Sequence, residues 1–116
     1  MKSLADTGIV LNGSTDSPGS DGNPLVSIQD MVLRVTGSGS VLSRDERISA
    51  VDAVRAYTYG SAYAVGQEVD KGTLRVGQLA DFVALTDDLL EIAPERIRDQ
   101  QVTATVVGGE LRYGAL

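Results

Sequence analysis

The chain has 116 residues, 16 acidic against 10 basic, a net charge of −6, no cysteine and no histidine. That length holds one domain and falls far short of the roughly 250 residues of a complete (β/α)₈ barrel, while the acidic balance argues against a nucleic-acid surface or an anionic membrane as partner. Without cysteine there is no disulfide or thiolate metal site, which leans towards the cytoplasm, and without histidine a hydrolytic zinc site of ordinary composition is out of reach.

Ser3 to Thr7 followed by Gly8 reads as the last turn of a helix closed by a C-terminal glycine, so the chain is expected to start inside an element. No signal-peptide core follows Met1, and no apolar run approaches the roughly 20 residues that span a bilayer. Ile9-Val10-Leu11 is a continuous aliphatic run of the kind buried on both faces of a parallel sheet. A helix end, a glycine and a buried strand make the αβ joint of a barrel or doubly wound fold. Asn12 to Pro24 is drawn almost entirely from turn-formers and reads as a loop. By composition Asp16 is a turn aspartate. Its place just past the carboxyl end of the strand is where α/β barrels carry catalytic groups. Asp21 and Asn23 read as solvated turn residues.

Asn23 and Pro24 are suited to the N-cap and first position of a helix running to about Thr36, with Leu25, Ile28, Val32 and Val35 as its apolar face. Gly37 to Ser40 reads as a flexible connector. Ser49 and Asp52 form a capping-box-like start for a helix to about Val65 that is apolar almost all round, with Asp52, Arg55 and Tyr59 as its narrow wet stripe. Such a helix in so short a chain predicts a dimer or a missing neighbour. Tyr57, Tyr59 and Tyr63 on it are read as packing residues.

Thr73 to Val76 and Phe82 to Leu85 read as short strands joined across Gly77, with Asp81 holding a turn or strand end. Asp87 and Asp88 are adjacent, so their side chains diverge and suit a solvated turn better than a shared ion. Pro94 opens a short helical turn, and Val102 to Val107, Gly108-Gly109 and Glu110 to Tyr113 form a hairpin.

Three of these stretches resemble, in order, the metal-dependent amidohydrolases of the family that includes D-aminoacylases and N-substituted formamide deformylases. Val10-Leu11 running into Gly13-Ser14-Thr15-Asp16-Ser17-Pro18 resembles its eighth-strand Gly-(Ser/Thr)-Asp-x-Pro motif, with one extra residue before the aspartate. Ser49 to Ala62, with Ala53-Val54, Tyr57-Thr58 and Ser61-Ala62, resembles the helix between the last barrel strand and a small sandwich. Gly72-Thr73-Leu74, Gly77 and Ala80-Asp81-Phe82 resemble its C-terminal sandwich signature.

The resemblance implies an α+β chain: the last strand and helices of a (β/α)₈ barrel over residues 1–66, then part of the small composite β-sandwich domain over 67–116. It implies a parent enzyme that hydrolyses C–N bonds of amide, N-acyl or formamide type with a divalent metal, zinc being the expected ion. Asp16 is the implied metal ligand and catalytic residue, taking a proton as water attacks a carbonyl carbon. The other ligands would come from earlier strands. The chain alone is therefore expected to hold no cofactor, to be inactive, and to self-associate where the rest of the barrel would pack. The alternative is a non-catalytic, self-associating β-sandwich module with a structural or interaction role.

Overall fold

The computed structural model describes residues 1–116 as an α+β fold with four short helices and one three-stranded antiparallel sheet. No helix is long and apolar enough to cross a membrane. Helix α1, Lys2–Ala5, unwinds through a turn to Gly8, whose φ of 85° gives the left-handed closure its sequence called for. The Glu46 carboxylate accepts from the Met1 amino group and from the Ser3 N–H and Oγ, which hold its pKa down from the usual 4.5 to about 2.

Ile9 to Leu11 is not a strand: its backbone groups make no hydrogen bond within the chain. A strand exists by pairing, and no other strand of this chain lies beside it. Helix α2, Pro24–Leu33, begins as its sequence predicts, with Asn23 accepting from the Leu25 N–H at 3.0 Å and proline in the first turn. It ends before Thr36 because Arg34 turns left-handed at φ 51°. Gly37 to Ser40 is no loose connector either. Thr36 accepts from Ser40 and Gly39 and donates its own N–H to Ser40, closing a turn under the Val35–Val41 bridge.

Helix α3, Ala50–Arg55, is capped by Ser49, whose Oγ accepts from the Asp52 N–H at 3.1 Å and lies 2.6 Å from the Asp52 carboxylate. It continues through a π turn, Ala56–Gly60, into α4, Ser61–Ala64. The expected strand at Thr73 to Val76 is absent. That stretch is a loop tied by Gln78, whose Nε2 donates to the carbonyls of Glu68 and Val69 at 2.9 and 3.1 Å.

The sheet has the order β1–β2–β3, with β1 Phe82–Leu85, β2 Val102–Val107 and β3 Glu110–Gly114. β1 pairs with β2, Phe82 opposite Val106 and Ala84 opposite Ala104, so its hairpin partner is not the stretch before Gly77. Gly108 and Gly109, at φ 60° and 80°, supply the two positive dihedrals that a two-residue turn between β2 and β3 demands.

The core is small. Leu25 and Ile28 of α2, Ile48, Ala53 of α3 and Ile97 of the 3₁₀ turn Pro94–Asp99 form its buried centre. Leu11, Tyr57 and Leu85 pack against it half-buried. Gln29 ties α2 to the 3₁₀ turn by accepting the Arg98 N–H at 3.1 Å.

Candidate functional site

Asp16 stands exposed in the loop between the extended Ile9–Leu11 segment and α2. Its φ is 54°, a left-handed value that aspartate tolerates better than most residues and that marks a constrained position. Its N–H donates to Ser14 Oγ at 3.2 Å and its carbonyl accepts from Gly19 at 2.7 Å, while the carboxylate makes no hydrogen bond or ion pair within the chain. An exposed carboxylate with all its lone pairs uncommitted can take a cation or a proton.

The loop is held on its N-terminal side by the long helix. The Gly13 N–H donates to the Ala56 carbonyl at 3.0 Å, at the start of the π turn. Ser61 Oγ lies 3.1 Å from Asn12 Oδ1, 3.3 Å from the Gly13 carbonyl and 3.2 Å from the Ala56 carbonyl. On the C-terminal side Asp21 Oδ1 accepts from the Asn23 N–H at 3.2 Å and Asn23 caps α2. Both residues act as turn and cap residues, in line with their sequence reading.

The remaining candidates have structural partners. Asp81 Oδ1 accepts from the Gly108 N–H at 2.6 Å, tying the start of β1 to the far hairpin turn. Asp88 Oδ1 accepts from the Leu90 N–H at 2.8 Å, whereas Asp87 faces Arg96 at 3.5 Å, so the adjacent pair diverges. Tyr59 and Tyr63 have ring centroids 6.1 Å apart, and the Arg55 guanidinium lies 5.1 Å over the Tyr59 ring. Tyr57 packs on the core, with its hydroxyl buried and without a hydrogen-bond partner.

Two clefts mark the surface. One of about 500 Å³ is polar and lies among Gln29, Asp30, Arg47, Glu95 and Arg98. The other, of about 290 Å³, lies along Ile9 to Leu11 and the helix residues Asp52, Arg55, Ala56 and Tyr59. Asp16 lines neither. No group of three or more acidic side chains could hold a metal ion. Asp16 is thus a single oxygen donor, and the residues present do not fit a complete metal site; no chemical step follows from this chain by itself.

Sequence reasoning singled out Asp16 and did not point to Ser61 or the Ala56 carbonyl, which hold the start of its loop. The available signal was Gly60, an isolated glycine inside a helical apolar pattern, which marks a close approach of another segment.

The sequence profile of the amidohydrolase family matches residues 1–113. The chain is 32% identical over 113 residues to the N-substituted formamide deformylase of Arthrobacter pascens, covering 97% of this chain and 21% of that protein. It is 31% identical over 115 residues to the putative amidohydrolase YtcJ of Bacillus subtilis, covering 97% of this chain and 22% of that protein. To the protein LONG AFTER FAR-RED 3 of Arabidopsis thaliana it is 34% identical over 114 residues, 97% and 19% of the two chains. It spans about a fifth of the length of these curated relatives. No solved structure matches it. With the profile matching nearly end to end, the chain belongs to the amidohydrolase family.

Proposed function

We propose that this chain is the C-terminal segment of a metal-dependent amidohydrolase that hydrolyses the C–N bond of an amide, an N-acyl amino acid or an N-substituted formamide. Members of the family are generally metal-dependent. Residues 1–66 would end the (β/α)₈ barrel and residues 67–116 form part of the composite β-sandwich beside it. The cation, zinc by expectation, would be held mainly by histidines on earlier strands, in a cytoplasmic enzyme.

One observation carries the reading. The aliphatic Ile9–Leu11 segment, with no hydrogen bond on either backbone edge, runs directly into a loop that presents an uncommitted Asp16 carboxylate. This arrangement supports reading Ile9–Leu11 as a barrel strand that would pair with earlier strands, and Asp16 as a catalytic group at its carboxyl end. In the intact enzyme the Asp16 carboxylate would donate a lone pair to the cation and take the proton released as water attacks the carbonyl carbon. In isolation the chain is proposed to be inactive.

The test is made on the full-length protein that carries this segment. Asp16→Asn keeps shape and removes the charge; turnover of N-substituted formamides and N-acyl amino acids should fall by about 10³-fold or more. Full turnover in that variant would remove Asp16 from the chemistry. Absence of a His-x-His strand upstream would remove the enzyme reading altogether. The exposed apolar surface favours a second reading, a non-catalytic module that self-associates, which predicts a stable oligomer and no hydrolysis in any length of the protein.

A further inference from the structure

We propose that the π turn Ala56–Gly60, with Ser61, is the positioning device for the Asp16 loop, and that Ser61 is a positioning residue for catalysis; this rests on the reading of Asp16 given above. The loop follows an extended segment, Ile9 to Asn12, whose backbone makes no hydrogen bond, so little else fixes where it begins. The first backbone tie is the Gly13 N–H to the Ala56 carbonyl. A π turn widens the helical ladder locally and re-aims its carbonyls, and such turns recur at functional sites.

The fit between the two elements is reciprocal. A Cβ on Gly60 would stand 1.9 Å from the Leu11 carbonyl oxygen, and a Cβ on Gly13 would stand 2.4 Å from the Tyr57 ring. Each glycine admits the backbone or ring of the other element, so a side chain at either position would push the segment off the helix. Ser61 Oγ sits among Asn12 Oδ1, the Gly13 carbonyl and the Ala56 carbonyl, all at 3.1–3.3 Å. A hydroxyl has one proton to give and two lone pairs to receive with. It can donate to one carbonyl while an Asn12 amide turned the other way donates to it. The hydroxyl then clamps residues 12 and 13 against the helix, and Asp16 follows within about 10 Å of chain. Displacement of a reacting group by about 1 Å costs rate far more than it costs binding or folding.

The experiment compares Ser61→Ala and Ser61→Thr in the full-length protein, with amide exchange at Gly13 in that same protein as a readout independent of activity. Ser61→Ala should lower kcat about tenfold on an N-substituted formamide with KM within about twofold and the melting temperature nearly unchanged, and Ser61→Thr should restore kcat to within about twofold. The Gly13 amide should be protected in the wild type and exchange about tenfold faster in Ser61→Ala, with the β2–β3 hairpin amides unaffected. An unprotected Gly13 amide in the wild type overturns the proposal, as does an unchanged kcat in Ser61→Ala. So does a loss of kcat that Thr does not rescue and that follows a lowered melting temperature. A full-length wild type with no C–N hydrolysis overturns the enzymatic reading and, with it, the catalytic role of Ser61. Gly13 protection then still reports whether the π turn holds the loop.

Discussion

Asp81 and Asp16 are the same side chain put to opposite uses. Asp81 receives the Gly108 N–H at 2.6 Å and so links the first residue before β1 to the β2–β3 turn. Asp16 commits only its backbone and leaves the carboxylate to solvent. Removing a charged acceptor from a backbone donor costs about 1.5–3 kcal/mol, reduced here because the pair is exposed, so Asp81→Ala should lose about 1 kcal/mol in denaturant melts. Asp16→Ala should stay within about 0.5 kcal/mol of the parent, as for a surface site without partners. Equal losses in the two variants would contradict the division of roles. The structural part played by Asp81 was readable from its position just before a β-prone run, and the place of Asp16 past an aliphatic run is what singled it out as a candidate. Ser61 itself carried no sequence mark beyond the neighbouring Gly60, because its partners at residues 12 and 13 lie 49 and 48 positions away and only the fold brings them to it.

Elements closed by local chemistry could be read from sequence, whereas the pairing of segments could be read only across a tight turn. Asn23-Pro24 and Ser49 with Asp52 announce helix starts because a cap needs only its own next turn. Gly108-Gly109 announces a hairpin for the same reason. Ile9 to Leu11 and Thr73 to Val76 have strand composition but no partner, and β1 takes β2 across an interval of 16 residues that no local rule anticipates. Around Gly77 a side chain replaces the ladder: Gln78 gives two bonds from one amide to the carbonyls of Glu68 and Val69, and receives from Thr73 Oγ1. Gln78→Ala should therefore open residues 68–79 locally, with a loss of about 1–2 kcal/mol for the stranded carbonyls. Hydrogen exchange is the measurement. Faster exchange at the Leu79 amide, which donates to Asp70, with unchanged exchange in β2 is the expected result, and a uniform change would show that Gln78 acts on the whole fold instead.

At the scale of the molecule, the surface is too large for the mass. A compact 12.2 kDa monomer exposes roughly 6,000 Å², whereas this chain exposes 7457 Å² and buries only 13 of its 116 residues. Its radius of gyration is 14.7 Å, against about 13.4 Å for a compact domain of this length. Part of the excess is apolar and lies on the helix that follows Ser49 and on the extended segment before Asn12. Val51 and Tyr63 on the helical run 50–64 and Val65 just past its end are 54%, 49% and 67% exposed, and Ile9 beside the unpaired backbone is 55% exposed. The narrow wet stripe of Asp52, Arg55 and Tyr59 had already implied that this helix needs cover on most of its circumference. Apolar area of this extent, together with a free extended edge, should drive the isolated chain to self-associate and to bind a hydrophobic dye. Light scattering and dye fluorescence should both be high for the 116-residue chain. In the full-length protein dye binding per mole should drop as the same faces pack internally. A monodisperse monomer that leaves the dye dark would mean that residues 49–65 and 9–11 need no partner, and would withdraw the physical argument that this segment is built to be completed by another.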